Sequence, residues 1–580
     1  MSANSCTRPC GVRCGTIAVA EFMRARTALF AMLVCVSAGA FADDVKAPGR
    51  PGIASAHPLA TQAGYEAIEK GGNAFDAAVA VSAALGVVEP YASGFGGGAF
   101  FLLHIAKSGI SVFVDAREIA PAAADADMYL DSDGEPVRGA SLNGPLAAGI
   151  PGHPAGLVHL ANKYGRLSLA DSLAPAIRYA NDGFPVHRRI SLGLRFRRQT
   201  ADQWKAFGEV FYPGGVNLKD GDPVLQPDLA KTLQRLAAAG VDGFYRGETA
   251  RLLVDGVRAA GGIWSLEDLA GYRVVEREPI HAEFRGARVV SAPPPSSGGI
   301  AIANMLNILA GFDVDGADGA TRTHLLIEAM RRAYRDRAQY LGDPDFVDIP
   351  IEKLVHPYYA AGQRVSMRLD RATPSETLPG IWPEDAKATD TSHFSIIDAD
   401  GNRVAGTQSI NAWFGSGFMA PQTGVILNNE MDDFVVKAGV PNGFELVGAE
   451  ANAIAPGKRM LSSMSPTFVE SDRGVAILGT PGGSRIITMV MLATMAWIDG
   501  ANATDMVSFK RFHHQYYPDV VSYEPGAFTE EELVKLEEMG HRMRETRRAF
   551  GNMNVVTWDY ASGQVDAASD PRGGGEGRVY

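Results

Sequence analysis

The sequence predicts an α+β fold in which antiparallel β-hairpins and helices pack as layers. Its apolar segments occur in close pairs, each interrupted by a turn that contains glycine, which is the pattern of β-hairpins. The pairs are 99–105 with 110–115, 393–398 with 402–410, 466–470 with 475–479, and 553–559 with 564–568. Helical segments lie between the pairs, and in 323–340 the apolar residues recur at the spacing of one helix face. Hairpins whose apolar faces are covered by helices form the layers of an α+β protein.

The segment 73–85 is predicted to be a buried helix, because it is mostly apolar and begins at Asn73, a residue type that caps helix N-termini. The glycine run that follows, 94–98, allows two interpretations. A nucleotide-binding loop needs a strand before the glycines and a helix after them. Here the helix comes first and an apolar strand follows, so close packing of the glycine backbone against other backbone is favoured.

Composition and charge exclude two classes of partner. The chain has 580 residues, of which 46% are hydrophobic and 21% charged, as in ordinary globular proteins. It carries 54 lysine and arginine residues against 66 aspartate and glutamate residues, and no basic run stands out. Nucleic acids and anionic membrane surfaces are therefore not expected as partners.

Residues 1–42 are predicted to be an N-terminal extension and a cleaved signal peptide. A positive start at 23–26 precedes a short apolar run, and Ala40-Phe41-Ala42 has the small-x-small form of a signal-peptidase site. The apolar run is too short for a permanent anchor, so we expect a periplasmic or secreted protein with no membrane anchor, cleaved after Ala42. All four cysteines lie in the removed part, so the mature chain should have neither disulfides nor thiolate metal sites. Met1 and Met23 both remain possible start sites.

The stretch 390–402, DTSHFSIIDADGN, places hydroxyl residues directly before a predicted strand. The residues before it, 370–390, are rich in proline and polar side chains and are predicted to form an exposed loop. A threonine hydroxyl is a weak nucleophile that needs a base. The α-amino group of a chain-terminal threonine can be that base, since its pKa is about 7.7–8.0. Cleavage between Asp390 and Thr391 would create such a terminus, which makes Thr391 a candidate nucleophile.

The turn at 399–401 predicts the register of the hairpin that follows. With Gly401 left-handed, a three-residue loop pairs Asp398 with Asn402. Continued along the strands, this register pairs Thr391 with Ser409 and His393 with Thr407. The residues on the shared face are Thr391, His393, Ser395, Thr407, Ser409 and Asn411. A hydroxyl opposite Thr391 can orient it and pass its proton, or the pair can simply stabilise the sheet, and the residues alone leave both interpretations open.

The histidines predict neither a catalytic dyad nor a metal site. His393 lies two strand residues from Thr391, about 6.6 Å away and beyond hydrogen-bond reach, so an orienting role is expected. His513 and His514 would point to opposite faces of a strand, and no HExxH motif occurs. No metal is expected.

Three later segments combine small, acidic and hydroxyl residues: 428–434 (NNEMDDF), 461–466 (LSSMSP) and 479–485 (GTPGGSR). Acidic groups can bind a substrate ammonium, whereas serines and an arginine can bind a carboxylate. The backbone N–H groups of Gly482 and Gly483 can hold an oxyanion. Taken singly, each segment is better explained as turn chemistry. Together they suit a zwitterionic, amino-acid-like substrate.

The chain resembles the gamma-glutamyltransferase family from about residue 48 to its end. The motifs that carry the resemblance are, in order, GGNAFDAAVA, GFGGG, DAREIAP, LGDPDFV, TSHFSIID, NNEMDDF, LSSMSP, PGGSRIIT and RFHHQ. The resemblance implies an N-terminal-nucleophile hydrolase with a four-layer αββα fold, made as a zymogen that cuts itself. The implied products are a large subunit, 43–390, and a small subunit, 391–580, which together build one domain.

The resemblance also implies an activity and residue roles. The implied enzyme is a glutathione hydrolase and gamma-glutamyltransferase without a cofactor, which moves the gamma-glutamyl group of glutathione and related compounds through Thr391 to water or to an amino-acid or peptide amine. The implied catalytic residues are Thr391 as nucleophile, Thr407 and Ser409 as positioning groups, and Gly482 and Gly483 as oxyanion hole. The implied substrate-binding residues are Arg117, Ser462 and Ser463 for the α-carboxylate, and Glu430 and Asp433, assisted by Asn411, for the α-amino group.

The sequence departs from the family pattern at three positions. Ser392 and Ser409 stand where threonine is frequent, which keeps the hydroxyl. Phe444 stands at a lid position that is often tyrosine, which removes the hydroxyl that would bind Asn411.

Two other functions are weighed against this one. An acylase of the same fold, acting on glutaryl side chains of beta-lactams, would have no substrate ammonium to bind, so the presence of both Glu430 and Asp433 argues against it. A binding protein without catalysis is disfavoured because Thr391, Thr407 and the double glycine are all present.

Overall fold

Two large β-sheets stack face to face in the computed structural model, which describes residues 45–379 and 391–580. The expected N-terminal extension and signal peptide, 1–42, lie outside the described residues, as does Asp390 of the expected cleavage site. The strands, in chain order, are β1 (Gly52–Ser55), β2 (Gly98–Ile105), β3 (Ile110–Ala116), β4 (Phe184–Pro185), β5 (Pro223–Val224), β6 (Val275–Arg277), β7 (Ile280–Phe284), β8 (Ala287–Ser291), β9 (Ser392–Ile397), β10 (Arg403–Ser409), β11 (Thr467–Ser471), β12 (Gly474–Gly479), β13 (Phe512–His513), β14 (Val521–Tyr523), β15 (Met543–Glu545), β16 (Asn554–Asp559), β17 (Val565–Ser569) and β18 (Glu576–Val579).

The helices fall into two groups. Each group packs on one of the two large sheets or on other helices beside that sheet. In chain order, the α-helices of the described part are α1 (Pro58–Glu69), α2 (Ala74–Val88), α3 (His153–Lys163), α4 (Leu169–Asp182), α5 (Arg188–Phe196), α6 (Arg198–Gln203), α7 (Lys205–Phe211), α8 (Pro227–Ala239), α9 (Asp242–Tyr245), α10 (Gly247–Ala259), α11 (Leu266–Gly271), α12 (Gly298–Leu309), α13 (Gly319–Tyr340), α14 (Ile351–Leu354), α15 (Pro357–Arg364), α16 (Ile486–Ile498), α17 (Ala503–Ser508) and α18 (Glu530–Glu538).

The first sheet has the strand order β18-β1-β9-β10-β2-β3-β6, and the second has the order β17-β16-β12-β11-β8-β7. All neighbours within these two sheets are antiparallel. Two smaller sheets, β13-β14-β15 and β4-β5, complete the described strands.

The alternation of side chains along β2 shows how four layers arise. Phe101 and Leu103 belong to the core shared with α1 and α2, whereas Phe100 and Leu102 point to the opposite core, which includes the space between the sheets. Strands β9 and β10 pack on β12 and β16, while α12 and α16 cover the outer face of the second sheet. The order of layers is therefore helix, sheet, sheet, helix, and the predicted four-layer αββα architecture is confirmed.

Both large sheets contain strands that precede the expected cleavage site in the sequence and strands that follow it. In the first sheet β1 lies between β9 and β18, and in the second β8 pairs with β11. The segments 45–379 and 391–580 thus build one common core, so neither is a folded domain by itself. The subunit boundaries at residues 43, 390 and 391 stay a prediction.

The local sequence patterns predicted the elements around the site. All four predicted hairpins are present, as β2–β3, β9–β10, β11–β12 and β16–β17. Helix α2 begins as expected, because the Asn73 side chain accepts hydrogen bonds from the N–H groups of Phe75 (2.9 Å) and Asp76 (3.1 Å). The glycine run packs against backbone: a Cβ atom on Gly96 would lie 2.0 Å from the Ile426 oxygen, and one on Gly97 would lie 2.0 Å from the Ser409 oxygen.

The prediction of an exposed loop over 370–390 is wrong for part of the stretch that the structure describes, which ends at 379. Ser375 is fully buried and Leu378 is 8% exposed. The Ser375 N–H donates to Asp519 (2.8 Å), and its hydroxyl accepts from Arg331 (2.6 Å). These partners lie far away along the chain, so local composition gave no sign of them. None of the helices in 45–379 and 391–580 combines the length and the apolarity that crossing a membrane requires.

Candidate active site

Thr391 lies directly before β9, at the end of the hairpin that β9 forms with β10. The register is the predicted one: Thr407 is opposite His393, Gly401 has a φ of 85°, and the N–H of Asp398 donates to the Asn402 oxygen (3.1 Å). The hydroxyl oxygens of Thr391 and Ser409 are 3.5 Å apart, and both residues are buried. The expected juxtaposition of these two hydroxyls is therefore present.

Ser409 is held in place by the backbone around it, and either hydroxyl of the Thr391–Ser409 pair can be the donor. Its Oγ accepts a hydrogen bond from the backbone N–H of Asn411 at 2.7 Å, and its carbonyl lies against Gly97. A serine hydroxyl has one donor and two acceptor positions, so Ser409 can keep this bond and still either donate to or accept from a neighbouring oxygen. Asn411 has a left-handed backbone, with a φ of 72°, and this conformation turns its N–H back toward Ser409.

Thr407 contacts the histidine of the hairpin. Its hydroxyl is 2.8 Å from His393 Nδ1, and His393 Nε2 is 3.2 Å from the Ser395 hydroxyl. Burial lowers the pKa of His393 to about 3, so this imidazole is neutral at physiological pH. The Thr407–His393 pair is two residue pairs further along the hairpin than Thr391, and a positioning effect of Thr407 on Thr391 is therefore indirect.

One cleft, which we name the Thr391 cleft, gathers most of the residues that the sequence singled out. Those lining it are Thr391, Ser409, Asn411, Arg117, Glu430, Asp433, Ser462, Ser463 and Gly483. Its apolar walls are Phe444, Leu446, Met464 and Ile486. Thr407 lies on β10 opposite His393 and does not line this cleft. Gly482 lines a neighbouring cleft.

Arg117 is the central charge of the Thr391 cleft and is 1% exposed. Its guanidinium donates to Glu430 Oε2 (2.8 Å), to Asp433 Oδ2 (2.5 Å) and to the Met460 carbonyl (3.2 Å). Burial alone would lower the pKa of Arg117, but the carboxyl groups of Glu430, Glu118 and Asp433 together raise it above its ordinary value. The residues expected to bind opposite ends of one substrate are thus paired with each other.

Glu118, next to Arg117 in the sequence, is a residue of this site that the sequence analysis did not single out. Its carboxyl is fully buried, lies 3.6 Å from the Arg117 guanidinium, and receives no hydrogen bond from the described residues. Burial raises the pKa of Glu118 to about 7, and burial also raises the pKa of Glu430 well above its ordinary value. Glu118 directly follows a site arginine and precedes the apolar residues Ile119 and Ala120, and this position is the sequence signal that could have indicated it.

Ser462 and Ser463 are presented to the cleft by a fixed backbone. The N–H of Ser462 donates to the Pro295 oxygen (2.8 Å), and its carbonyl accepts from both the N–H (2.8 Å) and the hydroxyl (2.7 Å) of Ser297. The Ser462 hydroxyl accepts from the N–H of Met464 (3.1 Å). This network places two small hydroxyl residues on the wall of the cleft that Arg117 also lines.

Gly482 and Gly483 form a sharp turn immediately before α16. Their φ angles are 145° and 57°, values that glycine adopts without strain. The described residues supply no hydrogen-bond acceptor for either N–H group, so both donors are available to a ligand oxygen. The Phe444 ring lies on this turn, because a Cβ atom on Gly483 would be 2.2 Å from its Cδ1 atom.

The lid segment around Phe444 is tied to both sides of the cleft. Asp432 accepts hydrogen bonds from the Ser141 hydroxyl (2.7 Å) and from the N–H of Gly443 (2.7 Å), and its pKa is raised to about 6 by burial. The Gln515 side chain donates to the carbonyl oxygens of Phe444 (3.2 Å) and Glu445 (3.0 Å). Phe444 therefore holds its place by packing and backbone contacts, without the hydroxyl of a tyrosine.

Comparison with known proteins gives consistent results. The family model described as Gamma-glutamyltranspeptidase matches residues 60–580. A glutathione hydrolase proenzyme from Pseudomonas sp. (strain A14) is 44% identical over 496 residues, which cover 84% of this chain and 86% of that protein. A cephalosporin acylase from Bacillus halodurans superposes with a TM-score of 0.80 at 29% identity, covering 93% of this chain and 97% of the other. A Helicobacter pylori gamma-glutamyltranspeptidase chain superposes with a TM-score of 0.55 at 38% identity, covering 58% of this chain and 96% of the other.

Proposed function

Because the chain belongs to the gamma-glutamyltranspeptidase family, we propose that Thr391 is its nucleophile and that the residues of the Thr391 cleft bind the gamma-glutamyl group. The chain is an enzyme of this family, a glutathione hydrolase and gamma-glutamyltransferase. The observation that carries the residue assignment is the convergence, in one cleft, of a buried threonine, a glycine turn with available N–H donors, and an arginine with two acidic partners.

Maturation is the first reaction of Thr391 in this proposal. Its hydroxyl, 3.5 Å from that of Ser409, attacks the carbonyl carbon of residue 390. The new C–O bond replaces the C–N bond, and the Thr391 nitrogen takes the proton to become a free amine. Water then hydrolyses the ester, which leaves a carboxylate on residue 390 and a free hydroxyl on Thr391. The products are the segments 43–390 and 391–580.

Turnover uses the amine that maturation creates. The neutral α-amino group of Thr391 accepts the hydroxyl proton while the oxygen attacks the gamma-carbonyl of the substrate. The N–H groups of Gly482 and Gly483 stabilise the oxyanion. The leaving amine takes the proton, and the gamma-glutamyl ester on Thr391 is then opened by water, for hydrolysis, or by an amino-acid or peptide amine, for transfer.

Substrate recognition exchanges one set of ion pairs for another. A gamma-glutamyl group brings a carboxylate to Arg117, Ser462 and Ser463, and an ammonium to Glu430 and Asp433. Arginine suits the carboxylate because its planar fork can donate two parallel hydrogen bonds. Arg117 and the two acids, Glu430 and Asp433, therefore all have partners of opposite charge in the complex.

An acylase for glutaryl amides is the alternative, and the superposition with a cephalosporin acylase shows that the fold is compatible with that chemistry. A glutaryl group has no ammonium. The site holds Glu430 and Asp433 against Arg117 at 2.8 and 2.5 Å, which favours a substrate that carries both charges.

We further propose export of the chain with removal of residues 1–42, since Ala40-Phe41-Ala42 has the form of a signal-peptidase site. The test is the N-terminus of extracytoplasmic protein, which should be Asp43. An N-terminus at Met1 would contradict export by this route.

The test of the catalytic proposal combines a denaturing gel, N-terminal sequencing and an assay with a gamma-glutamyl anilide. Wild-type protein should give two bands, a terminus at Thr391 and release of the aniline. Thr391→Ala should remain one band and release none. An active wild-type enzyme without a terminus at Thr391 would overturn the mechanism.

A further inference from the structure

A second cleft opens on the other side of Phe444 and of the glycine turn. We name it the arginine cleft, and it is lined, among others, by Phe444, Gly482, Ser484, Arg485, Gln515 and Arg544. Phe444 also lines the Thr391 cleft, and Gly482 directly precedes Gly483 of that cleft. The two clefts therefore meet at the expected oxyanion-binding turn.

The arginine cleft carries more positive than negative charge. The Arg485 guanidinium lies 4.8 Å from the centre of the Phe550 ring, and no carboxylate among the described residues forms an ion pair with it. Arg544 is exposed and donates to the Ser522 hydroxyl at 3.2 Å. Glu445, which also lines the cleft, is the nearby acid and raises the pKa of Arg485, whereas the larger effect of burial lowers it. Two cations thus face one acid.

The histidine of this cleft adds no charge. His513 is buried between the Thr488 hydroxyl (2.8 Å from Nδ1) and the Gln515 side-chain oxygen (2.7 Å from Nε2). Burial, followed in size by the charge of Arg485, lowers the pKa of His513 well below its ordinary value. The imidazole is therefore neutral at neutral pH. The arginine cleft keeps its excess of one positive charge.

Arg485 is attached to the catalytic turn by the chain itself. It lies two residues after Gly483, so their Cα atoms are at most about 7 Å apart, and its N–H donates to the Gly482 oxygen at 3.2 Å. Arg485 is thereby fixed beside the glycine turn, within one side-chain length of a carbonyl whose oxygen would be held by that turn.

We propose that the arginine cleft is the subsite for the amine part of the reaction, and that Arg485 and Arg544 bind a carboxylate at the far end of that amine. The inference rests on the proposed function, because it assumes that the gamma-glutamyl group fills the Thr391 cleft. The leaving group of glutathione is a dipeptide that ends in a carboxylate, and amino-acid and peptide acceptors carry the same group. The ligand class is therefore an α-amino acid or short peptide with a free C-terminal carboxylate.

The test uses two substrates that differ by one carboxylate on the leaving group: gamma-glutamyl-4-nitroanilide and gamma-glutamyl-3-carboxy-4-nitroanilide. The measured quantity is the ratio of kcat/KM for the carboxylated substrate to that for the uncarboxylated one. Arg485→Gln and Arg544→Gln should each lower this ratio, roughly tenfold for Arg485, because each removes a cation from a partly desolvated carboxylate. Arg485→Lys should recover part of the ratio, since it restores the charge.

Arg251→Gln is the matched control, because Arg251 is exposed on α10 and makes the same change in net charge. It should leave the ratio at the wild-type value. A gel of each preparation must first show complete cleavage, so that slow maturation is not counted as lost turnover.

A second measurement uses acceptors. Transfer to glycylglycine should weaken relative to transfer to glycylglycine amide in both arginine variants. Equal losses on both members of each pair, or no loss on either, would overturn the inference, because Arg485 would then support only the glycine turn. Wild-type enzyme that acts on neither anilide would instead refute the proposed function, and the subsite with it.

Discussion

The Arg117 guanidinium donates a 2.8 Å hydrogen bond to the carboxyl of Glu430 in a site where both side chains are almost fully buried. A buried arginine without a partner would be costly, and so would a buried carboxylate. The cleft avoids both costs by pairing them, together with Asp433. Binding a zwitterion therefore replaces existing ion pairs, and a variant that removes one partner leaves a charge uncompensated in both states.

The first prediction concerns that exchange. Arg117→Lys and Asp433→Asn should each lower kcat/KM for glutathione by a few orders of magnitude, because an unpaired, desolvated charge commonly costs about 2–5 kcal/mol. On a glutaryl amide, which lacks the ammonium, Asp433→Asn should lose much less activity or gain some. Both variants should be measured on both substrates, with preparations already shown to be cleaved. Equal harm to the two substrates from Asp433→Asn would remove the ammonium assignment and favour the acylase.

The second prediction concerns the hydroxyl opposite the nucleophile. Ser409→Ala should slow both maturation and kcat by roughly tenfold or more, with little change in KM, because the hydroxyl acts in the chemical step. The rate of band conversion on a gel and steady-state kinetics measure the two effects.

Ser392→Ala is the control for this prediction. The Ser392 hydroxyl points to the other face of β9 and donates to Glu89 (2.7 Å), so this change removes a buried hydroxyl that does not face Thr391. If Ser409→Ala matured and turned over at the rate of Ser392→Ala, the Thr391–Ser409 pair would be ordinary sheet packing.

The third prediction concerns Glu118 and pH. Since burial raises the folded-state pKa of Glu118 to about 7, the folded protein tolerates its neutral form better. The contribution of this raised pKa to the free energy of unfolding is complete below the ordinary pKa of a glutamate. It is lost as the pH rises through about 7. Glu118→Gln should therefore raise the melting temperature relative to the parent by more at pH 8.5 than at pH 5.5, and the two free-energy changes should differ by about 1 kcal/mol or more.

Thermal unfolding in a Thr391→Ala background gives this measurement on a single uncut chain. Charged neighbours that face Glu118 are Arg117, Asp433, Asp115 and Glu430, and all stay in place in the variant. The exposed Glu283→Gln on β7 is the isosteric control and should give no pH-dependent difference. A constant offset between Glu118→Gln and its parent at both pH values would show that the carboxyl does not titrate in this range.

The fourth prediction concerns the base. Burial holds the pKa of His393 at about 3, so that residue cannot produce a change in rate near neutral pH. The acidic limb of kcat/KM should instead fall near the α-amino range of about 7.7–8.0, and activity should rise as that amine loses its proton. A pH profile of the cleaved enzyme checks this. If kcat/KM rose with pH near 3–5 and showed no further rise near 7–8, the α-amino group would not be the base.

The hairpin carrying Thr391 could be predicted almost completely from sequence, because its register depends on a local rule about one turn with Gly401. The composition of the Thr391 cleft was also predictable, since residue chemistry and family motifs identify the same groups. The pairing of Arg117 with Glu430 was not, because it joins residues more than 300 positions apart. The burial of Ser375 was missed for a similar reason, because no local pattern reveals its distant neighbours. Glu118 was overlooked although it directly follows a site arginine.

The interleaving of strands has a consequence for what happens after denaturation. In the uncut chain, β1 and β9 are joined by a continuous backbone, so their encounter is intramolecular and independent of dilution. A cut before Thr391 removes that link while leaving every strand contact in place. Recovery from denaturant would then require two separate chains to meet, and its yield would fall with concentration. Such an enzyme is assembled once, while it is still a single chain, and its working lifetime depends on how slowly it comes apart rather than on how well it can refold.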